Sequence, residues 1–377
     1  MKTVNVGLIG HKFMGKAHSH ALYDLNFFFE TDAKPVMKTI CGIGDDLPAV
    51  ASRYGWQNHE TDWKKVVEDP DIQAIDIATP ENTHKEIALA AAANGKHVFC
   101  EKPMAISYAE TVQMYEAVHA AGVKHMVDFN YRTLPAIRLA KQLITEGKIG
   151  KIYSFKAQYM QDWGLSPATP FLWRMDAKAA GRGPTEAGSH IVDLARYLAG
   201  EIEQVAATYN IVVKERKDIA TGANKEVTSE DNTVFIVRFT EGAIGMFETS
   251  RVTAGRKNAL LLEINGSKGS IRFNLERLDE LEVYLEEDPA YIQGFRTVIA
   301  TQPEHMYIKN WWPTGHIIGW EHTFVHQYYE FIQAIAQDRL PSPNFHDGMK
   351  CQQVIEAVWL AGEEKRWVKV EDVGQGR

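Results

Sequence analysis

The chain has 377 residues, 45% of them hydrophobic and 24% charged, with a formal net charge of −8. That length accommodates two separate cores, and an acidic balance without a long basic run argues against nucleic acid or an anionic membrane as partner. No apolar run approaches the roughly 18–20 residues of a membrane span. Met1-Lys2-Thr3-Val4 enters a strand with no visible signal peptide. Three scattered cysteines (Cys41, Cys100, Cys351) fit a reduced, cytoplasmic protein better than a disulfide scaffold or a zinc site, and no metal is expected.

Val4–Ile9 reads as a short apolar strand, followed by a turn with glycines at 10 and 15 and a helix from Gly15 to about Leu25. Strand, glycine turn and helix are the context of a dinucleotide fingerprint, with the pyrophosphate at the helix N-terminus. Lys12 stands where the pattern has its middle glycine, and a phosphate is its expected partner. The second strand is Val36–Cys41. Asp45 and Asp46 follow it, with no Arg, which favours NAD over NADP because a carboxylate there bonds the adenosine ribose. The same two acids also suit the cap of a helix over Pro48–Tyr54. Thr61–Glu68 is a further helix, and Trp56 and Trp63 are read as core. Strands over Ile72–Ile77, Lys96–Cys100 and Val123–Phe129 then alternate with helices over Lys85–Asn94 and Tyr108–Ala121, the second closed by Gly122. Such alternation implies a parallel, doubly wound α/β sheet, a Rossmann dinucleotide-binding domain over residues 1–127.

The strand ending at Cys100 runs into Glu101-Lys102-Pro103. An ionisable lysine at the carboxyl edge of an inner strand, where open α/β sheets bind ligands, is costly unless it has a task. Taken with Asp76-Ile77-Ala78-Thr79-Pro80-Glu81-Asn82-Thr83-His84, this stretch resembles the glucose–fructose oxidoreductase / inositol dehydrogenase family of NAD(P)-dependent sugar oxidoreductases. The resemblance implies that Lys102 is catalytic and its peptide to Pro103 cis. It also implies a cofactor site at Gly10, Lys12, Phe13, Met14, Gly15, Asp45, Thr79, Pro80, Asn82, His84, Glu101 and Lys102. Glu101 serves structure there, or positions the nicotinamide ribose.

Asn130-Tyr131-Arg132 resembles the family's crossover into a second domain, residues 128–377. A helix over Ala136–Thr145 precedes strand-like segments Lys151–Trp163, Ile202–Val213, Asn232–Thr240, Ala243–Val252, Leu260–Asn265, Ser270–Leu275 and Leu281–Leu285. Short turns between them predict an α+β domain with a large, mostly antiparallel open sheet. Lys214–Asp231 reads as a polar loop, and Gln327–Gln337 and Met349–Glu364 as amphipathic helices that complete the domain. One sheet face is expected on helices and the other on a partner subunit, giving a homo-oligomer, dimer or tetramer.

Gly181-Arg182-Gly183-Pro184 leads into a helix carrying Glu186 and His190, four apart and so on one face. The family pattern is a glycine-rich loop followed by such an acid and histidine. Here Glu stands where Asp is usual, and the loop is short and contains Arg182. By itself the pair also fits an ordinary helix contact. The resemblance implies Lys102, His190 and Glu186 as catalytic, and Lys102, Arg132, Trp173, Arg174, Glu186, His190, His316 and Trp320 as sugar-binding. Asn310–Phe324 resembles the substrate loop of the family's pyranoside and levoglucosan dehydrogenase-like branch, with Trp rings for a pyranose face and His316 and Glu321 for hydroxyls. The plainer alternative puts these Trp in the core and His316 on a surface loop. His322 and His326 lack the Glu of a zinc-protease helix and read as structural.

Oxidising a secondary alcohol requires removal of its hydroxyl proton beside the nicotinamide. A free lysine titrates near ~10.4, and burial beside the nicotinamide cation brings it toward working range. His190, with an ordinary value of about 6.5, is the rival base, and Glu186 orients it or bonds a neighbouring hydroxyl. The expected activity is NAD-dependent oxidation of a ring hydroxyl of a sugar or glycoside, C3 being one candidate. An inositol or cyclitol dehydrogenase is the alternative substrate class. A non-catalytic NAD-sensing regulator is the alternative of another kind, against which the joint presence of Lys102, Glu186 and His190 argues. The enzyme reading requires Lys102 and His190 to serve one carbinol.

Overall fold

The computed structural model describes residues 2–182 and 184–375; Met1, Gly183 of the glycine-rich loop, Gly376 and Arg377 lie outside the described residues. The chain divides into two compact units, Met1–Asn130 with Gly319–Lys350, and Tyr131–Ile318 with Cys351–Arg377.

In the first unit β1 (Lys2–Ile9), α1 (Phe13–Phe28), β2 (Ala33–Cys41), α2 (Leu47–Tyr54), β3 (Asn58–Glu60), α3 (Trp63–Glu68), β4 (Ala74–Ile77), α4 (His84–Ala93), β5 (His97–Cys100), α5 (Tyr108–Ala120) and β6 (His125–Val127) follow one another. The strands form one parallel sheet in the order β3-β2-β1-β4-β5-β6. This is the doubly wound order, and its switch point lies between β1 and β4. All four residues of β4 and the last three of β5 are buried, as helices on both faces of a parallel sheet require. Gly10 has φ +115°, and a Cβ on it would stand 2.3 Å from the Ala78 carbonyl oxygen. Only glycine lets the turn after β1 pass so close to the loop after β4. Trp56 is core, its Nε1 donating to Ser19 Oγ at 2.9 Å. Trp63 is not; it is half-buried, because the short α3 turns Val66 and Val67 inward.

The second unit comprises α6 (Pro135–Thr145), β7 (Ile152–Met160), α7 (Ala177–Ala180), α8 (Thr185–Ala199), β8 (Ile202–Asn210), β9 (Glu215–Lys217), β10 (Asn224–Glu226), β11 (Asn232–Phe239), β12 (Ile244–Ser250), β13 (Ala259–Gly266), β14 (Gly269–Asn274), β15 (Glu280–Leu285) and β16 (Arg296–Ile299), with β17 (Val368–Lys369) near the end of the chain. Nine strands make one sheet, β16-β15-β14-β13-β7-β12-β11-β8-β17, antiparallel except between β7 and β12. Along β11, Thr233, Phe235, Val237 and Phe239 are buried while the residues between them are exposed, the period-two pattern of a half-covered sheet. Phe235 and Phe155 both stack on Phe247, at 4.7 and 5.7 Å, and α8 packs on β7 and β12.

Two expectations are corrected here. The polar stretch 214–231 is no plain loop, since β9 and β10 pair within it. Asp218 Oδ1 accepts the Ala220 and Thr221 amides to close their turn, and Arg216, 2% exposed, donates to the carbonyls of Ser166, Thr169 and Gly164. Hydropathy does not register order built from polar side chains on backbone. Second, helix α9 (His322–Ala336), expected in the second domain, belongs to the first unit. It buries eleven residues, packs along α1, and sets Tyr328 and Phe331 4.6 and 5.4 Å from the Phe99 ring. The remaining helix is α10 (Phe345–Glu364). Among the described residues no helix is long and apolar enough to cross a membrane.

Candidate active site

Helix α1 starts directly after the glycine turn, and its N-cap residue, Lys12, makes no side-chain cap. Uncapped N–H groups at the head of a 16-residue helix suit an anion, so this end of α1 fits a dinucleotide pyrophosphate. The Lys12 ammonium points elsewhere. Its Nζ lies 2.8 and 3.0 Å from the Asp46 carboxylate oxygens, and His11 Nε2 lies 3.2 Å from the same group. Hydrogen bonds from Lys12 and then His11 hold the Asp46 carboxyl below its ordinary range. Asp46 therefore does not cap α2 with its side chain, and Asp45 is exposed. Gly42 makes room for this arrangement, since its Cβ would meet the His11 ring at 2.0 Å.

Phe13 is 67% exposed at the head of α1, Met14 is half-buried, and Gly15 is buried against the Gly10 carbonyl. Trp320, expected on the sugar side, lies in this unit and stacks on Phe13 at 5.8 Å with rings 6° from parallel. Thr79 Oγ1 accepts a hydrogen bond from Thr83 Oγ1 at 2.7 Å, beside exposed Pro80 and Asn82. His84, expected at the cofactor, is instead buried. Its Nε2 is 2.8 Å from the Thr79 carbonyl and its Nδ1 3.2 Å from the Pro103 carbonyl, so the ring braces two loops against each other. Burial lowers its pKa.

Lys102 is half-buried just beyond β5, and its peptide to Pro103 is cis. The Lys102 amide donates to Glu101 Oε2 at 2.9 Å, while Glu101 Oε1 lies 3.1 Å from His18 Nε2. Both oxygens of Glu101 are thus engaged inside the unit. His18, which periodicity alone marks only as the inner face of a helix, is fully buried. Its Nδ1 is 3.0 Å from both Asp76 oxygens, its Nε2 is 3.2 Å from Asp128 Oδ2, and Tyr328 donates its hydroxyl proton to Asp76. Burial by itself would lower the His18 pKa, but Asp76, Asp128 and Glu101 outweigh it and raise the value well above the ordinary one. Burial, helped by Glu101 and Asp76 and opposed by His18, pushes the Asp128 carboxyl up to about 7. His18, Glu101 and Asp128 stand close enough together to resemble a set of metal ligands. However, both ring nitrogens of His18 face carboxylates, as in an imidazolium, which has no lone pair to give a metal.

In the second unit α8 carries Glu186 and His190 one turn apart. His190 is 4% exposed and lies between two rings, Tyr131 at 4.3 Å and Tyr159 at 5.5 Å between centroids. The two hydroxyls are 3.2 Å apart, and Tyr159 donates to Asn258 Oδ1 at 2.8 Å. Tyr131 belongs to the crossover motif, with nothing in the sequence to place it at His190, and neither Tyr159 nor Asn258 stands out there. Glu186 pairs with Arg174, whose Nε donates to Oε1 at 2.6 Å and whose guanidinium lies 4.3 Å from the Trp173 ring. Arg174 and Glu186 line a small polar cavity with Gln161, Trp163, Ser229 and Arg251. Arg132, expected on the substrate, is buried in a bidentate pair with Asp193 at 2.7 and 2.5 Å, so it fixes α8 from below. His316 is exposed, with Nδ1 2.8 Å from the Pro313 carbonyl; Trp311 is buried and Trp312 50% exposed.

Comparison with known proteins adds the following. Residues 4–129 match the model described as an oxidoreductase family, NAD-binding Rossmann fold, and residues 141–370 the model of that family's C-terminal alpha/beta domain. The chain is 41% identical over 389 residues to levoglucosan dehydrogenase of Pseudarthrobacter phenanthrenivorans, covering 99% of this chain and 100% of that protein. It is 26% identical over 372 residues to myo-inositol 2-dehydrogenase of Thermotoga maritima, covering 98% and 99%. A solved structure of levoglucosan dehydrogenase in complex with NADH and levoglucosan matches with a TM-score of 0.94 at 41% identity, over 98% of this chain and 99% of that one.

Proposed function

This chain belongs to the Gfo/Idh/MocA oxidoreductase family, and on that premise we propose that it oxidises a ring hydroxyl of a sugar or sugar glycoside, with NAD⁺ as the hydride acceptor. The observation that carries the reading is Lys102, an amine just past the inner strand β5 with its backbone tied to Glu101, on the sheet edge where doubly wound folds bind ligands. Gly10, Phe13, Met14 and Gly15 would hold the pyrophosphate at the head of α1. Asp46 or Asp45 would hold the adenosine ribose, and Thr79, Pro80 and Asn82 would border the nicotinamide. Lys102 takes the hydroxyl proton or, as a cation, stabilises the alkoxide; His190 is the rival base. The two belong to different units, and the reading requires them to serve one carbinol. Glu186 and Arg174, as a half-buried pair, would bond the neighbouring hydroxyls.

The levoglucosan and myo-inositol dehydrogenases among the relatives support a six-membered ring rich in hydroxyls. A pyranoside or anhydro-sugar comes first, with C3 the position to test, and a cyclitol second. Purified protein with NAD⁺ should form reduced cofactor on at least one member of a panel of levoglucosan, methyl pyranosides and myo-inositol, and Lys102→Ala should abolish it. Turnover of Lys102→Ala near the wild-type rate would refute the assignment. Turnover of myo-inositol alone would select the cyclitol reading, and NAD⁺ binding without any turnover would return the regulator.

Val234, Ile236, Ile244 and Met246 leave apolar surface on the open sheet face, 43–62% exposed. A second copy of the chain as its cover would give a dimer or tetramer. Light scattering should then show a smaller assembly for Ile236→Lys. Three buried cysteine thiols support a reducing compartment, the cytoplasm.

A further inference from the structure

Five polar side chains from five separate elements meet behind the sheet edge that bears Lys102. They are His18 on α1, Asp76 on β4, Glu101 past β5, Asp128 past β6 and Tyr328 on α9, each 0–5% exposed. Charge buried this deeply is tolerated only when each group is held by partners. Here the contacts run in series. Tyr328 donates to Asp76, Asp76 accepts from His18 Nδ1, His18 Nε2 donates to Glu101 Oε1, and Glu101 Oε2 accepts the Lys102 amide. The imidazolium offsets one carboxylate, and burial beside Glu101 and Asp76 raises the Asp128 pKa to about 7, which disfavours a third negative charge. On the far side of Lys102, His84 holds the Pro103 carbonyl at 3.2 Å.

Building on the dehydrogenase reading, we propose that His18 is a positioning residue for Lys102, its imidazolium fixing Glu101 so that Glu101 fixes the backbone from which the reacting amine projects. His18 touches neither sugar nor nicotinamide in this account. Its effect passes through one carboxylate. A displacement of the amine by about 1 Å is enough to lower turnover about 10²-fold.

Two substitutions separate this role from simple support of the fold. His18→Gln carries an amide donor near the Nε2 position, toward Glu101. His18→Asn carries one near Nδ1, toward Asp76, and none toward Glu101. For both, kcat and KM with NAD⁺ and the best sugar, the NAD⁺ Kd from protein fluorescence, and the melting temperature would be measured. The rate of Lys102 acetylation, read by peptide mass spectrometry, reports on the amine without any sugar turnover. In His18→Asn, kcat should fall about 10²-fold and the acetylation rate change at least about threefold, with KM and Kd nearly unchanged; His18→Gln should restore most of both. Wild-type kcat in His18→Asn, or equal losses in the two folded variants, would overturn the proposal, as would a stoichiometric metal in the purified protein. If His18→Asn does not fold, Glu101→Asp takes its place. That change keeps the charge but shortens the reach, and normal turnover and acetylation in it would overturn the proposal. A wild-type protein inert toward every sugar would defeat the dehydrogenase reading instead, and the acetylation rates would still decide the role of His18.

Discussion

Asp128 offers a stability test with a calculable size. Its carboxyl is fully buried among His18, Glu101, Asp76 and the Tyr328 hydroxyl, and its pKa rises from 3.8 to about 7 on folding. A raised folded value means that the native chain keeps a proton the unfolded chain loses. The stabilisation is therefore complete below the unfolded value, declines as pH rises, and is gone above about 7. Roughly 3 units at about 1.36 kcal/mol each give about 4 kcal/mol across the whole window. Between about pH 5 and about pH 8 the share is roughly 3 kcal/mol. Asp128→Asn keeps the shape and removes the titration. Urea unfolding of both proteins at those two pH values should show the wild type losing roughly 3 kcal/mol more than the variant on going to the higher pH. The raised His18 pKa acts in the same direction in both proteins, so it leaves the sign of the difference intact. Parallel changes in the two proteins would refute the reasoning.

The Lys12–Asp46–His11 contact predicts cofactor choice: Asp46→Ser should release the Lys12 ammonium and the His11 ring for a 2′-phosphate and lower the Kd for NADP⁺ at least about tenfold relative to NAD⁺, measured by fluorescence titration. Phe331, 1% exposed against Phe99, should cost about 3–5 kcal/mol when truncated to Ala, read from urea unfolding. Arg174→Met leaves Glu186 without the guanidinium that pairs with it, and should raise the sugar KM at least about tenfold while the NAD⁺ Kd stays constant.

The sequence makes the first unit readable because its inner strands are mostly apolar, Asp76 in β4 being the chief exception, and each is followed by a helix. Glu101-Lys102-Pro103 is also visible, since a charged triplet ends such a run. The partners of Lys102 and His190 are less visible. His18 shares the spacing of its core neighbours Ala17, Ala21 and Leu22, and only the fold brings it to Asp76 and Asp128. Tyr131 and Tyr159 reach His190, and Asn258 their hydroxyls, from three separate places, and no spacing rule joins them. Arg132 and His84 look like ligand residues because they are polar and sit in motifs. The structure commits them to Asp193 and to two backbone carbonyls. Helix α9 is hard to place for a related reason, since its apolar face does not say which unit it covers.

The direct test of the central claim follows the hydrogen itself. Levoglucosan or a methyl pyranoside carrying deuterium on its ring carbons would be incubated with NAD⁺ and the protein, and the cofactor and sugar analysed by mass spectrometry. The account predicts one deuterium on the reduced nicotinamide, a matching keto-sugar, and neither product with Lys102→Ala. Deuterium retained by the sugar across the whole panel, with NAD⁺ bound but unreduced, would contradict it.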